Sequence, residues 1–280
     1  MPYHCIVLVK QVPDTTNIRI DPETGSLIRK GVPAILNPYD AHAVASAAEW
    51  KKTLNGKLTV ITMGPPAAEE ALQECIEMGA DRAILISDRK FAGSDTLATS
   101  YVLAEAIRKI HQEDPLDLIF FGKQAIDGDT AQVGPGAAIR LGMPLITYAV
   151  EIQEINEDEG YARIIRKTEN GREVIKTTLP AVLTAEKSIA EIPYASLPDL
   201  ITSLRYQPEF WTAEEPLLYD VNQIGLKGSP TWVAQSGTPE AHEPAETISV
   251  EEKGLQGAVD QALKDMLSNK SFASIWEEIK

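Results

Sequence analysis

The densest chemistry in the sequence lies between Gly122 and Pro135, a stretch that reads Gly-Lys-Gln-Ala-Ile-Asp-Gly-Asp-Thr-Ala-Gln-Val-Gly-Pro. Gly122, Gly128 and Gly134 allow a backbone to approach a ligand closely, and Thr130 or Gln132 can donate hydrogen bonds. A helix is predicted to open at about Gln132, which turns free amides and the positive end of its dipole toward an anion. That suits a phosphate or pyrophosphate. Asp127 and Asp129 repel bare phosphate and are better suited to capping the helix or holding ribose and ring groups. The sequence has no GxxxxGK[ST] motif, and Gly134-Pro135-Gly136 lacks the third glycine of the dinucleotide fingerprint. On these residues alone, a nucleotide loop and an ordinary capped strand-to-helix turn weigh equally.

Other reactive side chains point nowhere in particular. Cys5 and Cys75 are far apart and read as small buried residues, with no CxxC or Cys/His spacing for a metal or a redox dithiol. His4, His42, His111 and His242 are scattered, and His42, near a helix start, reads as a lone surface histidine. No nucleophile–base–acid set is visible. The 41 acidic and 26 basic residues give a net charge of −15. Such a surface disfavours nucleic acid and anionic lipid as partners. No apolar run nears the ~18 residues of a membrane span, and Cys5–Val9 lacks the flanks of a signal peptide. A cytoplasmic location without membrane insertion is expected.

The elements that must position the loop follow from hydrophobic runs. Short apolar stretches at 5–9, 58–62, 83–86 and 116–121 alternate with helical patterns at about 37–55, 67–79, 96–111 and 132–141. This order predicts an α/β fold: a Rossmann-like parallel sheet with helices on both faces. The first helix has Asn37 as N-cap and Pro38 at its first position. Its stripe is Ala41, Val44, Ala45 and Ala48, with Trp50 on a flank beside Ala43 and Ala47. Residues 18–32 read as a hairpin or loop turning at 21–25. From Ala149 the pattern changes to hairpins about the turns at 156–160 and 169–171, predicting an antiparallel edge extension, and 181–185 reads as a further core strand. Beyond Pro193 the periodicity dissolves until a helix at about 251–267. The chain therefore divides into an α/β domain, 1–205, and an extended arm, 206–280, which must lie on some other surface. Ligands of such sheets bind beyond the carboxyl ends of the strands. The segments at 10–14, 37–40, 63–66 and 122–135 all fall there.

These segments resemble, in order, those of the electron-transfer flavoprotein beta subunit. The resemblance is carried by Val9-Lys10, Asn37-Pro38-Tyr39-Asp40, Met78-Gly-Ala-Asp-Arg82, Gly122-Lys-Gln-Ala-Ile-Asp127 with Gln132 and Gly134, Leu179-Pro-Ala-Val182 and Tyr194-Ala-Ser-Leu-Pro198. It covers about residues 3–205. It implies an adenine-nucleotide-hydrolase-like fold and a nucleotide site lined by Leu8, Asn37, Pro38, Tyr39, Asp40, Met63 and the loop. The loop residues are Gly122, Lys123, Gln124, Ala125, Ile126, Asp127, Gly128, Asp129, Thr130, Ala131, Gln132, Val133 and Gly134.

Conventional members of that family hold AMP at this site; bifurcating members hold a second FAD that meets NADH. The 127–135 text and Ile224-Gly-Leu-Lys-Gly-Ser-Pro-Thr231 resemble the bifurcating branch, and Gly93-Ser-Asp95-Thr96 is similar to a segment near that flavin. FAD is accordingly expected here, with AMP as the alternative, and a further FAD in an alpha subunit. The implied partners are that alpha subunit, an acyl-CoA dehydrogenase-type enzyme docked at Leu197, and ferredoxin or flavodoxin as low-potential acceptor. The arm, with Trp211, Trp232 and Trp276 as anchors, would wrap the alpha subunit. No catalytic side chain is implied. A non-redox nucleotide-binding module on the same sheet is the competing class.

Overall fold

A computed structural model describes residues 2–14, 19–20, 27–28, 33–232 and 247–268. The chain forms two compact units, Met1–Ser236 and Gly237–Lys280.

The first unit is built on a nine-stranded sheet, made from β1 (His4–Val9), β6 (Lys57–Met63), β7 (Arg82–Ile86), β8 (Leu118–Gly122), β9 (Leu145–Asn156), β10 (Tyr161–Thr168), β11 (Gly171–Thr178), β12 (Ala181–Ala185) and β13 (Glu209–Trp211). Their order is β11-β10-β9-β12-β8-β1-β6-β7-β13. The stretch from β9 to β13 is parallel, and β9, β10 and β11 form the antiparallel extension expected at one edge.

β1 shows why its run from Cys5 to Val9 is apolar without a break. Cys5, Val7 and Val9 enter the core on one face, while Ile6 and Leu8 enter the core on the other. A strand buried on both faces cannot alternate with polar residues. Helices α1 (Pro38–Thr53) and α2 (Glu69–Glu77) cover the first face. Helices α3 (Thr96–Glu113) and α4 (Val133–Leu141) cover the second.

Chain order places β6 and β7 on one side of β1 and β8 on the other. The sheet therefore reverses its winding between β1 and β8, and the carboxyl ends of those two strands flank the switch point.

Three expectations change. α1 is not a one-sided stripe: Ala43, Val44, Ala45 and Ala47 are all buried, and Trp50 packs against the same core. The chain beyond residue 205 does not dissolve. The Tyr206 hydroxyl oxygen accepts from Ala83 N at 2.9 Å, and β13 then pairs with β7. Arg82 clamps the new strand through Glu209, at 2.6 and 2.8 Å. Trp211 is therefore buried core rather than an interface anchor, and Tyr219 and Ile224 join it. No periodicity could announce a three-residue strand, because its partners are supplied by the sheet and not by its own neighbours.

A short antiparallel pair, β2 (Gln11–Pro13) with β5 (Ala34–Leu36), leads into α1; β3 (Arg19–Ile20) and β4 (Leu27–Ile28) pair as the expected hairpin. Its turn at 21–25 and Trp276 lie outside the described residues. α5 (Leu197–Arg205) starts at Ser196, whose Oγ accepts from Asp199 N.

The second unit contributes α6 (Val250–Ser268), which is broken at Gly254 (φ 66°, ψ 164°). Its apolar residues Leu255, Val259, Leu263 and Met266 are exposed. Among the described residues no helix is long and apolar enough to cross a membrane.

Candidate functional site

A cleft of about 1060 Å³ opens over the carboxyl ends of β8, β1, β6 and β7. It lies just above the ~300–1,000 Å³ typical of small-molecule sites. Its back wall is fixed by two side chains from the start of α1. Asn37 holds the N-cap position of α1, but its side chain makes no capping bond to the helix. It donates through Nδ2 to Gln124 O at 2.9 Å and accepts Ile126 N–H on Oδ1 at 3.2 Å, so it braces the loop after β8. Asp40 accepts Lys10 N–H at 2.8 Å and Gly122 N–H at 3.1 Å, one on each carboxylate oxygen. It therefore bolts together the two strand ends at the switch point. Burial pushes its pKa up to about 7, against the hydrogen bonds from Asn37, Lys10 and Gly122 that favour the carboxylate.

The three loop glycines have different physical reasons. A Cβ on Gly122 would stand 2.1 Å from Asp40 Oδ1, and one on Gly134 would stand 2.8 Å from Thr184 Cγ2. Both serve close packing within the protein rather than approach to a ligand. At Gly128 a Cβ would meet nothing within 4 Å, and this residue lines the cleft.

The acidic residues also behave differently from expectation. Neither caps α4, whose N-cap is Gln132 with no side-chain hydrogen bond. Asp127 pairs with Lys10 Nζ at 2.7 Å, and Asp129 accepts from Gln124 Nε2 at 2.6 Å. Both carboxylates are thus engaged by the protein, but only Asp127 has its charge offset by a cation; Asp129 is held by a neutral amide and keeps its negative charge within the loop.

The backbone amides that follow Asp129 are the main chemical feature of the cleft. Among the described residues, no protein acceptor meets the N–H groups of Thr130, Ala131, Gln132, Val133 or Gly134. Asp129 and Ala131 have positive φ of 50° and 53°, unusual for residues other than glycine. Ala131 is followed by right-handed Gln132 (φ −107°, ψ −21°). A change of hand between neighbouring residues turns successive amides toward one point and makes an anion-binding concavity. The start of α4 adds its dipole at the same place. Backbone strain of this kind is characteristic of binding sites.

Of the residues expected from the sequence, Leu8, Asp40, Met63, Asp95 and Thr96 line the cleft. So do Gly122, Lys123, Gln124, Ala125, Gly128, Thr130, Ala131, Gln132, Val133 and Gly134. Asn37, Pro38, Tyr39, Ile126, Asp127 and Asp129 do not. Tyr39 lies instead beneath two ammonium groups, Lys123 Nζ at 5.6 Å and Lys187 Nζ at 5.1 Å from its centroid. His42 is no free surface residue, since its Nδ1 lies 2.8 Å from Ala190 O.

The site expected from sequence lacks the wall after β7, formed by Ser87, Asp88, Arg89 and Phe91, and Phe210 from β13. Arg89 is an exposed cation with no ion pair among the described residues. Applying the strand-end rule to Ile86 would have found the β7 wall. Nothing in the sequence signals Phe210, because β13 itself is invisible there. Leu197, the expected docking residue, is 68% exposed at the start of α5, which removes the alternative of a buried core leucine.

Fold and cleft define the class: a doubly wound α/β protein with a ligand-sized cleft at its topological switch point. A profile of the electron transfer flavoprotein domain matches residues 24–199. The chain is 44% identical to "Protein FixA" of Azotobacter vinelandii over 266 residues, 95% of each chain. It is 42% identical to "Electron transfer flavoprotein subunit beta" of Clostridium acetobutylicum, over 93% of this chain and 97% of that one. The corresponding subunit of Thermoanaerobacterium thermosaccharolyticum is 44% identical over 87% of this chain and 91% of that one. The chain belongs to the electron transfer flavoprotein family, on its beta-subunit and FixA side.

Proposed function

We propose that this chain, paired with an electron transfer flavoprotein alpha subunit, holds FAD in the switch-point cleft and serves flavin-based electron bifurcation in the cytoplasm. In this reading NADH is the donor, ferredoxin or flavodoxin the low-potential acceptor, and an acyl-CoA dehydrogenase-type enzyme the second acceptor. The observation that carries it is the run of amides from Thr130 to Gly134 without protein acceptors, opening into a cleft of about 1060 Å³.

The residues present fit FAD. The amides of Thr130–Gly134 and the start of α4 would hold the diphosphate. Leu8, Met63, Leu103 and Phe121 offer an apolar wall that excludes water from a planar ring, and Gly128 leaves that space open. When bound, FAD supplies the redox chemistry, which no side chain here provides. The protein's own part is to bind, orient and shield. Asn37 and Asp40 keep the loop and both strand ends in register, and Lys10 neutralises Asp127 beside the anion site. No side chain is assigned a proton transfer.

The cleft also continues past the loop to the Met63–Pro66 and Ser87–Thr96 walls, more surface than a mononucleotide can cover. This favours FAD over AMP. Flavin and AMP content of the co-purified heterodimer is the deciding measurement. About two FAD per heterodimer is expected; about one FAD with bound AMP would overturn the bifurcating reading.

A further inference from the structure

The wall of the cleft at Gly93–Thr96 is tied to a segment 134 residues further along the chain. Asp95 is the junction. Its Oδ1 accepts the amides of Leu97 and Ala98, at 2.9 and 3.1 Å, and so caps α3. Its Oδ2 accepts from the backbone and the hydroxyl of Thr231, at 3.2 and 2.8 Å. Its own amide donates to Ser229 Oγ at 2.8 Å. Ser229 in turn donates to Gly225 O at 2.7 Å, and Gly225 N–H donates to Ser94 Oγ at 3.0 Å. Burial pushes the Asp95 carboxyl up, but the donors from Ala98, Thr231 and Leu97 outweigh it, and its pKa falls below the ordinary aspartate value.

The segment is seated without room for adjustment. Gly225 has φ 56°, and a Cβ there would stand 2.2 Å from Lys90 O. The chain of contacts also continues into the cleft. Thr96, the residue after the junction, donates from Oγ1 to Gln132 Oε1 at 3.3 Å. Gln132 is the N-cap of α4 and carries one of the amides without an acceptor. Asp95, Thr96 and Gln132 line the cleft, whereas Ser229 and Thr231 do not.

We propose that Gly225–Thr231 is a positioning strap. Thr231 and Ser229, acting through Asp95 and Thr96, set where Gln132 and its neighbouring amides stand, and so control the cleft's hold on a nucleotide phosphate. The inference rests on the reading that the cleft takes such a phosphate, whether from FAD or from AMP. Neither strap residue touches the ligand; both are positioning residues.

The test uses the full-length chain assembled with its alpha subunit and stripped of cofactor, titrated separately with FAD and with AMP. Thr231→Val removes the hydroxyl but keeps the shape and the backbone N–H; Thr231→Ser restores the hydroxyl. Losing a hydrogen bond to a carboxylate predicts about tenfold weaker binding for Thr231→Val. Thr231→Ser should bind within about twofold of the parent on the same scale. Thr231→Ser should leave the ligand-free unfolding midpoint at the parental value, whereas Thr231→Val should lower it slightly through the same lost bond. Ser229→Ala should shift binding in the same direction. Equal affinity of Thr231→Val and the parent would overturn the strap, and so would equal weakening by both Thr231 variants with a lowered ligand-free midpoint. The two ligands separate the readings. A parent that takes AMP but no FAD at the cleft refutes the FAD assignment while the AMP titration still decides the strap. A parent that binds FAD with an unaffected Thr231→Val refutes the strap alone. Binding of neither ligand refutes both.

Discussion

Two helices begin at the switch point of this sheet and treat their N-terminal ends in opposite ways. At the start of α1 most polar groups are consumed by the protein, and Tyr39 N–H alone meets no acceptor among the described residues. Pro38 has no N–H, Asn37 N–H donates to Lys10 O at 2.9 Å, and Asp40 N–H donates to Asn37 O at 2.9 Å. The Asn37 and Asp40 side chains then bind neighbouring backbone. At the start of α4 the run from Thr130 to Gly134 meets no acceptor among the described residues. Both helices follow a strand and both have an N-cap whose side chain makes no bond to its own helix. The lesson is that a helix dipole does not make a site; the site is the end that the rest of the fold leaves unsatisfied. The same division separates Gly122, crowded by Asp40, from Gly128, which faces open space.

That contrast can be broken by substitution, and the variants rank by their effect on unfolding free energy. Gly122→Ala should be the most damaging, at about 3 kcal/mol or more, because its Cβ would stand 2.1 Å from Asp40 Oδ1 and 2.8 Å from Asp40 N. Urea unfolding of the purified chain reads this directly, and a near-parental midpoint would mean the bolt at the switch point can give way.

Asp40→Asn comes next. An amide can accept only one of the two N–H groups and must present its own N–H to the other, which costs about 1–3 kcal/mol. Its effect should also depend on pH. The native carboxyl titrates at about 7, whereas the unfolded one titrates near 4, about the model-peptide value. Between those values the folded chain holds a proton that the unfolded chain has released. Raising pH through this window therefore lowers the parent's stability, and the contribution is fully present only below about pH 4. Asp40→Asn lacks this slope, so unfolding curves at pH 5 and pH 7.5 should bring the two proteins closer at the higher pH. A constant gap would mean Asp40 does not titrate there.

Gly128→Val should change stability by no more than about 0.5 kcal/mol, because its side chain enters open space. It should nevertheless abolish ligand uptake at the cleft while the alpha-subunit flavin remains. Retention of a full flavin complement would place the ring elsewhere. Leu197→Ala should have the smallest effect on folding, within about 0.5 kcal/mol, since the side chain is exposed. It should weaken association with an acyl-CoA dehydrogenase-type partner at unchanged flavin content; unchanged association would remove the docking role.

The parts of the fold that can be read from sequence share a cause. β1, β6, β7 and β8 are runs of adjacent apolar residues, and α3 carries its helical period and the N-cap Asp95 in its own sequence. Local patterns of this kind announce themselves wherever burial repeats along the chain. The hairpins beyond Ala149 are visible through their turns. β13 is not, because three residues carry no period and their pairing is made by β7, Arg82 and Tyr206. The candidate site divides in the same way. The 122–134 loop is one continuous segment and can be read. The β7 wall needs the strand-end rule to be applied once more, and Phe210 needs the sheet.

From its amino-acid order alone, this protein's class of fold, its family and the position of its candidate loop could be read, since each rests on short-range patterns or on motifs in sequence. Which groups in that loop are free could be decided only by tertiary structure. Asp127 and Asp129 look like candidates for ligand contact until Lys10 and Gln124 are seen to occupy them. Asn37 looks like a cap until it is found bracing Gln124 and Ile126. A polar side chain's role is set by the partner that reaches it first, and in a doubly wound sheet those partners arrive from strands and loops that are remote in the chain.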